Sequence, residues 1–384
     1  MANTITNLIS SVQVGLDVVS RELVGMIPAV TRDPSADRAA IGQTVTSFAT
    51  PAATAADITP AVTPPDDGDQ TIGNVAIQIT KARRVPIRWN GEQTRATSNN
   101  GVGTGNIQQQ QVNQAIRTLV NEMETDLCGL YVDASRSYGA GGTVPFATAG
   151  DYTAATFAQK ILLDNGAPQG DQHLVLNTGA GANLRGKQAD VDRQGTDVLL
   201  RQGVIQDISG MAIRQSGQIA THTKGTGASA TTDNAGYAIG ATTITLASAG
   251  TGTIVAGDSI TFAGDSNQYV IVTGDADVSG GGTVVLAAPG LRQAIAASAT
   301  AITVTATGPR NLCFSRDAII LATRAPALPD DGDMALDREL VTDPVSGMTF
   351  EIALYAQYRQ MQYEISAAWG VKTLKTQHLA LLAG

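Results

Sequence analysis

The chain has 384 residues, 43% of them hydrophobic and 15% charged, and a net charge of −9. This length is sufficient for two or three domains with a hydrophobic core, and the acidic balance argues against nucleic-acid binding across the whole surface, because that binding depends on Lys and Arg neutralising phosphates. Aromatic residues make up only 4% and Gly is abundant, which suits β-sheet and extended loops better than a helical bundle.

The first 71 residues predict a helix followed by a long segment without a core. Apolar residues recur every three or four positions over residues 7–25, where Asn7 is the expected cap and Gly25 the expected end. From Thr31 to Thr71 the chain is rich in Ala, Thr and Pro and poor in large apolar side chains. Compact domains seldom contain structureless loops beyond ~15 residues. This segment is therefore either disordered or ordered by a partner.

A strand and a basic stretch come next. Asn74–Thr80 alternates apolar and polar residues, as a half-buried strand does. Lys81–Arg95 holds a local charge of +4 in an acidic protein. Two interpretations are open: a solvated strand face, or an electrostatic contact with an acidic surface of a neighbouring copy. The second interpretation assigns these residues to a subunit interface: Lys81, Arg83, Arg84 and Arg88.

The longest predicted helix runs from Asn106 to Ala134, with apolar residues at strict three- and four-residue spacing. At 1.5 Å per residue it is a rod ~43 Å long. A Gly-rich break follows, and Thr153 then caps a shorter helix that Asn165 ends. Residues 172–177 predict a buried strand that leads into a short helix, and Gly203–Ser216 predicts a hairpin.

The composition changes between residues 225 and 307. Arg292 is the only cation there, the net charge is −4, and alternating segments are separated by Gly- and Asp-rich turns. This pattern predicts a small all-β barrel or sandwich, inserted between turn-rich linkers. Its loop Gly274–Gly282 carries Asp275 and Asp277, which we select as candidates for a contact between subunits.

One segment resembles a dinucleotide-binding loop. Gly179–Leu184 (GAGANL) lies between a predicted strand and a predicted helix, which is the required context. However, Leu184 stands where the motif needs Gly or Ala, and no further βαβ unit is predicted. A plain strand-to-helix turn is therefore favoured, and a dinucleotide-dependent oxidoreductase is the weaker alternative.

No other pattern predicts catalysis or metal binding. The sequence PDDGD occurs at Pro65–Asp69 and Pro329–Asp333 without the ligand spacing of a calcium loop. The three histidines, His173, His222 and His378, lie in separate predicted elements, so no pair has metal-ligand spacing. We predict no catalytic residue, no cofactor and no metal, and hence a protein that is not an enzyme.

The cysteines and the N-terminal residues favour synthesis in the cytoplasm. Cys128 and Cys313 lie in apolar patterns, which predicts reduced core thiols rather than a disulfide. The segment Met1–Leu16 has no basic residues before an apolar stretch, so no secretory signal is expected. No apolar run approaches the ~18 residues that cross a bilayer, so no membrane contact is expected.

Taken in order, these elements resemble the major capsid proteins of tailed bacteriophages, which have the Hong Kong ninety-seven-type fold. Thr44–Arg95 is similar to the family's extended loop with a basic strand, and Asn106–Ala134 to its spine helix. The hairpin GVIQDISGMAIRQSG and the closing segments FSRDAIILATRAP, VSGMTF and WGVKTLKTQHLALL follow in the family's order. The β-rich segment at 225–307, mainly through GDSITFAG, is similar to the insertion of P-twenty-two-like coat proteins.

This resemblance implies an α+β chain with the tailed-phage major capsid fold and an all-β insertion domain. The implied divisions are an N-terminal arm with a helix (1–43), an extended loop and basic strand (44–95), a peripheral region (96–171) with the spine helix (106–134), the first part of a central domain (172–224), the inserted β domain (225–307), and return strands that complete the central and peripheral domains (308–384).

The resemblance also implies a structural function. Copies of the chain are expected to assemble as pentamers and hexamers into an icosahedral shell around a phage genome. Scaffolding and portal proteins are the further expected partners, and the packaged genome is expected to make only non-specific contacts. The expected location is the virion capsid, after synthesis in the host cytoplasm. A secreted β-rich adhesin or surface-layer protein is the alternative, but it does not explain the long helix or the missing signal sequence.

Overall fold

The structure, a computed structural model, describes residues 24–49, 55–63, 68–69, 71–99, 104–148, 152–188, 207–330, 332–342 and 348–384. The helix predicted over residues 7–25 falls outside this part of the chain, apart from its last two positions.

Helices and strands are interspersed along the chain, which confirms the α+β class. In the first half they are β1 (Thr31–Ala39), β2 (Thr44–Ala49), β3 (Gly73–Gln78), β4 (Lys81–Asn90), α1 (Gly91–Asn99), α2 (Thr104–Gly129), β5 (Arg136–Tyr138), α3 (Thr153–Asp164), β6 (Gln172–Leu176) and α4 (Thr178–Gln188). In the second half they are β7 (Ala212–Gln215), β8 (Thr221–His222), β9 (Thr243–Leu246), β10 (Ser259–Phe262), β11 (Gln268–Thr273), β12 (Gly282–Leu286), β13 (Ile302–Val304), β14 (Gly308–Ser315), β15 (Ile319–Pro326), β16 (Ala335–Thr342), β17 (Thr349–Gln357), β18 (Gln360–Thr373) and β19 (Leu379–Ala383).

The first sheet has the strand order β1-β15-β18-β17-β16, and β4 also pairs with β18. The long strand β18 pairs with β4 along one side and with β17 and then β15 along the other. The spine-helix prediction is confirmed to within a few residues, because α2 spans 26 residues and continues as a 3₁₀ turn to Asp133. Its apolar face is buried in one core with residues of β4 and β18, including Trp89 and Trp369.

A second sheet has the strand order β13-β10-β11-β5-β19-β14-β6-β7. Successive residues of a strand point to opposite faces, so alternate residues of β14 belong to different cores. Leu312 and Phe314 lie in the core shared with α2. Cys313 lies in a second core, where α3 and α4 contribute Leu162 and Leu184. The sheet therefore separates two hydrophobic layers.

Both thiols are buried and unpaired, as predicted for Cys128 and Cys313. Burial raises the pKa of each thiol to about 12. Among the described residues, no helix has both the length and the hydrophobicity that spanning a membrane requires.

One local prediction beside this sheet is wrong, and a second gains an unexpected strand partner. Gly179–Leu184 forms part of α4 rather than a turn before a helix, and a Cβ at Gly181 would collide with the Gln215 side chain. In the described part of the predicted hairpin at Gly203–Ser216, Ile208 and Met211 form a bridge across a tight turn. The strand β7 then pairs with β6 in parallel. Alternation in a sequence specifies a strand, but it does not specify the partner of that strand.

The segment predicted as an insertion forms strands β9 to β13, one in each of its five alternating stretches. Its apolar side chains form a core among themselves, between Ala230 and Val304. Antiparallel pairing of β11 with β5, at Tyr269 and Arg136, continues the second sheet into this segment. Whether the segment folds as an independent domain stays a prediction.

Candidate subunit interfaces

The β2–β3 hairpin packs against the first sheet at its base, whereas its far end is exposed to solvent. Ile77 and Ile79 at its base are buried against Ile320, and Gly42 and Gln43 exchange backbone hydrogen bonds with Ile79. In the described part of the connection between the strands, Ile58 and Val62 are fully exposed. An isolated two-stranded hairpin is at best marginally stable. The distal half therefore presents apolar surface that its own chain does not bury.

The basic strand β4 places two of the candidate cations under α2. Lys81 Nζ lies 3.0 Å from Glu122 Oε1 and 2.8 Å from Asp126 Oδ1, and Arg83 Nε lies 3.2 Å from Glu122 Oε1. Burial by itself lowers the pKa of Lys81, but the hydrogen bonds to Asp126 and Glu122 outweigh it and hold that pKa above its ordinary value. Lys81 is therefore paired within its own chain, and its assignment to a contact between subunits stays a prediction.

The other two cations point to the opposite face of β4, since strand residues alternate. Arg84 Nη1 lies 2.7 Å from Glu364 Oε2, which raises the pKa of Arg84. Arg88 Nη2 donates a hydrogen bond of 3.1 Å to Gln362 Oε1. The side chains of Arg83 and Arg84 remain 58% and 60% exposed despite their partners. Their assignment to a contact between subunits stays a prediction.

Asp275 and Asp277 shape the loop in which they lie. Asp277 Oδ1 accepts hydrogen bonds from the Ser279 backbone and hydroxyl, at 3.1 and 2.6 Å, and these bonds lower the pKa of Asp277. Asp275 Oδ1 accepts a bond of 2.7 Å from the Asp277 backbone. Both carboxylates thus have hydrogen-bond partners within the loop. Their assignment to a contact between subunits stays a prediction.

A cavity of about 720 Å³ opens at the end of the first sheet, between β4, α1 and the β17–β18 turn. We call it the tip groove. Trp89, Met361 and Tyr363 contribute apolar lining, and Arg95 and Arg359 add positive charge. The sequence did not predict this groove, because its lining comes from two parts of the chain about 250 positions apart.

The buried carboxylate of Glu124, on the spine helix, binds the backbone of residues 25–27. Glu124 Oε1 accepts hydrogen bonds from the Gly25 and Met26 amides, at 2.8 and 2.7 Å. Its Oε2 accepts another from the Ile27 amide at 3.0 Å. Burial raises the pKa of Glu124, although these hydrogen bonds oppose the rise. The spine helix thus anchors residues 25–27 through one side chain.

A polar chain joins the spine helix to the β-rich segment. The Tyr131 hydroxyl lies 2.9 Å from His222 Nδ1, and His222 Nε2 lies 2.9 Å from Asp258 Oδ1. Asp258 is fully buried and also accepts from the backbone amides of Gly225 and Val255. Buried polar groups need such partners to offset lost hydration. Both ring nitrogens of His222 therefore have hydrogen-bond partners.

Among the described residues, no group of three or more His, Cys, Asp or Glu could hold a metal ion.

No protein-family model matches the chain, and no curated protein matches it. Among solved structures, the chain is similar to the capsid structure of the cyanophage P-SCSP1u, with 11% identity and a TM-score of 0.49 over 92% of this chain and 85% of that chain. It is also similar to the capsid of a native GTA particle, with 9% identity and a TM-score of 0.47 over 94% of this chain and 90% of that one. A chain of Mycobacterium phage Che8 gives 12% identity and a TM-score of 0.45, over 88% and 84%.

Proposed function

We propose that the chain is a major capsid protein of a tailed phage, with a structural and non-enzymatic role. Copies assemble as pentamers and hexamers into an icosahedral shell that encloses the genome. The protein is made in the host cytoplasm and ends in the virion capsid. Scaffolding and portal proteins are its further partners, and the genome is contacted only non-specifically.

One observation carries the proposal: the β2–β3 hairpin packs on the first sheet at its base, but its far end exposes apolar residues to solvent. Ile58 and Val62 are fully exposed in the connection between β2 and β3. Moving a large apolar side chain out of water and burying it fully lowers the free energy of the system by ~1.5–3 kcal/mol. In a closed symmetric assembly, each hairpin can bury these side chains against a neighbouring copy, so the same weak contact is repeated many times.

The proposal is tested by making the hairpin polar. Ile58→Asp combined with Val62→Asp is expected to leave the fold intact and to abolish particles seen by negative-stain microscopy. Ile239→Asp is the matched control, because Ile239 is also exposed but lies in the β-rich segment. We expect the control to assemble like the wild type. Normal particles from the double variant would contradict the proposed role of the hairpin.

A further inference from the structure

The tip groove combines an apolar lining with two cations that lack an acidic partner. Arg95 and Arg359 form no ion pair with any described residue; the guanidinium of Arg359 lies 5.9 Å from the ring centre of Tyr358. Trp89 at the groove is fixed by a hydrogen bond of 2.8 Å from its Nε1 to Gln111 Oε1. Such a lining fits a segment that has exposed apolar side chains beside carboxylates.

The same chain presents a segment of that chemistry. Met334 and Leu336 are 85% and 61% exposed, unusually high for large apolar side chains. Asp330 and Asp337 flank them, both exposed and both without an ion pair to a described residue. We call these four residues the acidic loop. The charges and the apolar side chains of the loop complement those of the groove.

The loop and the groove lie at the same end of the first sheet but on different strands. Ala335, in the acidic loop's stretch of chain, is paired with Tyr355 near the end of β17, and the groove begins at the neighbouring Ala356. The loop leads into β16, whereas the groove lies between β4, α1 and the β17–β18 turn. None of the four loop residues lines the groove of its own chain in the described structure. The groove is therefore open to the loop of another copy.

We propose that the acidic loop of one copy occupies the tip groove of the next copy. Each copy gives its loop to one neighbour and receives a loop from another, so the contact is head-to-tail and closes into a ring. This inference rests on the proposed function and names one of the surfaces by which it operates. The occupant is a second copy because each chain carries both complementary surfaces, and the loop does not line the groove of its own chain.

Charge reversal tests the contact. Arg95→Glu with Arg359→Glu is expected to lower the assembled fraction at least about tenfold, since like charges then face each other. Asp330→Lys with Asp337→Lys is expected to do the same. In an equimolar mixture of the two double variants, the contact can form between unlike copies in both directions but not between like copies. Combining all four changes in one chain is expected to restore assembly to within about threefold of the wild type.

The matched control for the groove variant is Lys224→Glu with Lys372→Glu, which changes the net charge by the same amount at exposed lysines outside the groove. It is expected to assemble normally. Circular dichroism and thermal melting of each unassembled variant verify folding. Wild-type assembly together with normal assembly of both groove and loop variants would overturn this inference and leave the proposed function standing. A wild-type protein that remains monomeric would overturn both.

Cross-linking identifies the occupant even where a charge variant fails to fold. Copies carrying Met334→Cys are mixed with copies carrying Tyr358→Cys and oxidised after assembly. A disulfide between the two kinds of copy supports the proposal; the native Cys128 and Cys313 are buried and do not interfere. If Tyr358→Cys instead links to a different protein, or only to other copies of itself, the groove has another occupant and the inference is wrong.

Discussion

The carboxylate of Glu124 fixes the first described residues of the chain, because its oxygens accept hydrogen bonds from the amides of Gly25, Met26 and Ile27. The bonds join the middle of the spine helix to residues about a hundred positions earlier, and they satisfy backbone donors that lie in a buried place. A buried donor left without an acceptor costs about 1–3 kcal/mol. The residue therefore couples the N-terminal segment to the spine helix.

Glu124→Ala removes the acceptors of all three amides. We expect the free energy of unfolding of the unassembled subunit to fall by on the order of 3 kcal/mol, measured by denaturant titration. Glu122→Ala is the control on the same helix. Glu122 is partly exposed and pairs with Lys81 and Arg83, so its loss is expected to cost below about 1 kcal/mol. Equal losses in the two variants would contradict the anchoring role.

The pH dependence at this residue has a defined sign. Burial raises the pKa of Glu124 in the folded state above its ordinary value of 4.5. Above the raised pKa the group is ionised in both states, and the cost of burying its charge is fully present. As the pH falls from the raised pKa towards 4.5, the folded state binds the proton first and this cost shrinks.

We therefore expect the wild type to gain stability relative to Glu124→Gln as the pH is lowered through that window, because the Gln side chain does not titrate. Urea unfolding of both proteins at a series of pH values measures the difference. A difference that stays constant, or that moves in favour of the variant, would show that the carboxylate is not penalised by burial.

At the scale of elements, the strand β4 packs one face against α2 and exposes the other face to solvent. Its exposed pairs, Arg83 with Glu122 and Arg84 with Glu364, each contribute ~0.2–1 kcal/mol. Reversing both arginines to Glu is expected to lower the melting temperature of the subunit only slightly and to impair assembly. Differential scanning calorimetry and light scattering measure the two effects. Normal shells from this variant would favour the solvated-face interpretation of the strand.

The β-rich segment is expected to fold by itself, because its core is formed by residues between Ala230 and Val304. A fragment covering residues 225–307 should melt cooperatively and give a β-sheet circular dichroism spectrum. The pairing of β11 with β5 is the contact that the fragment loses. A random-coil spectrum without a transition would show that the segment needs the rest of the sheet, and the predicted domain boundary would be wrong.

The elements that the sequence predicted well are those whose pattern is local. The spine helix follows from apolar spacing, and it spans Thr104–Gly129 against a prediction of residues 106–134. The strands of the β-rich segment follow from alternation between turns. Strand partners were not predictable: the hairpin at Gly203–Ser216 proved to include a strand paired in parallel with β6. The Glu124 anchor and the tip groove join distant residues, and no local periodicity reports such contacts.

At the scale of the whole molecule, the described surfaces that one chain leaves incomplete differ in chemistry. The β2–β3 connection exposes Ile58 and Val62, the tip groove has unpaired arginines, and the acidic loop has unpaired carboxylates. A protein with a net charge of −9 repels its own copies at long range, so attraction must come from local patches that salt screens only in part. In the proposed assembly, neighbouring copies cover these patches together.

Electron microscopy of the purified wild-type protein tests the central claim most directly. The protein is imaged at high concentration, alone and after co-expression with the scaffolding and portal proteins of the phage proposed to encode it. We expect closed shells, or rings of five and six subunits. A homogeneous monomer under both conditions would contradict the claim, and fibres or flat lattices would favour the adhesin or surface-layer alternative.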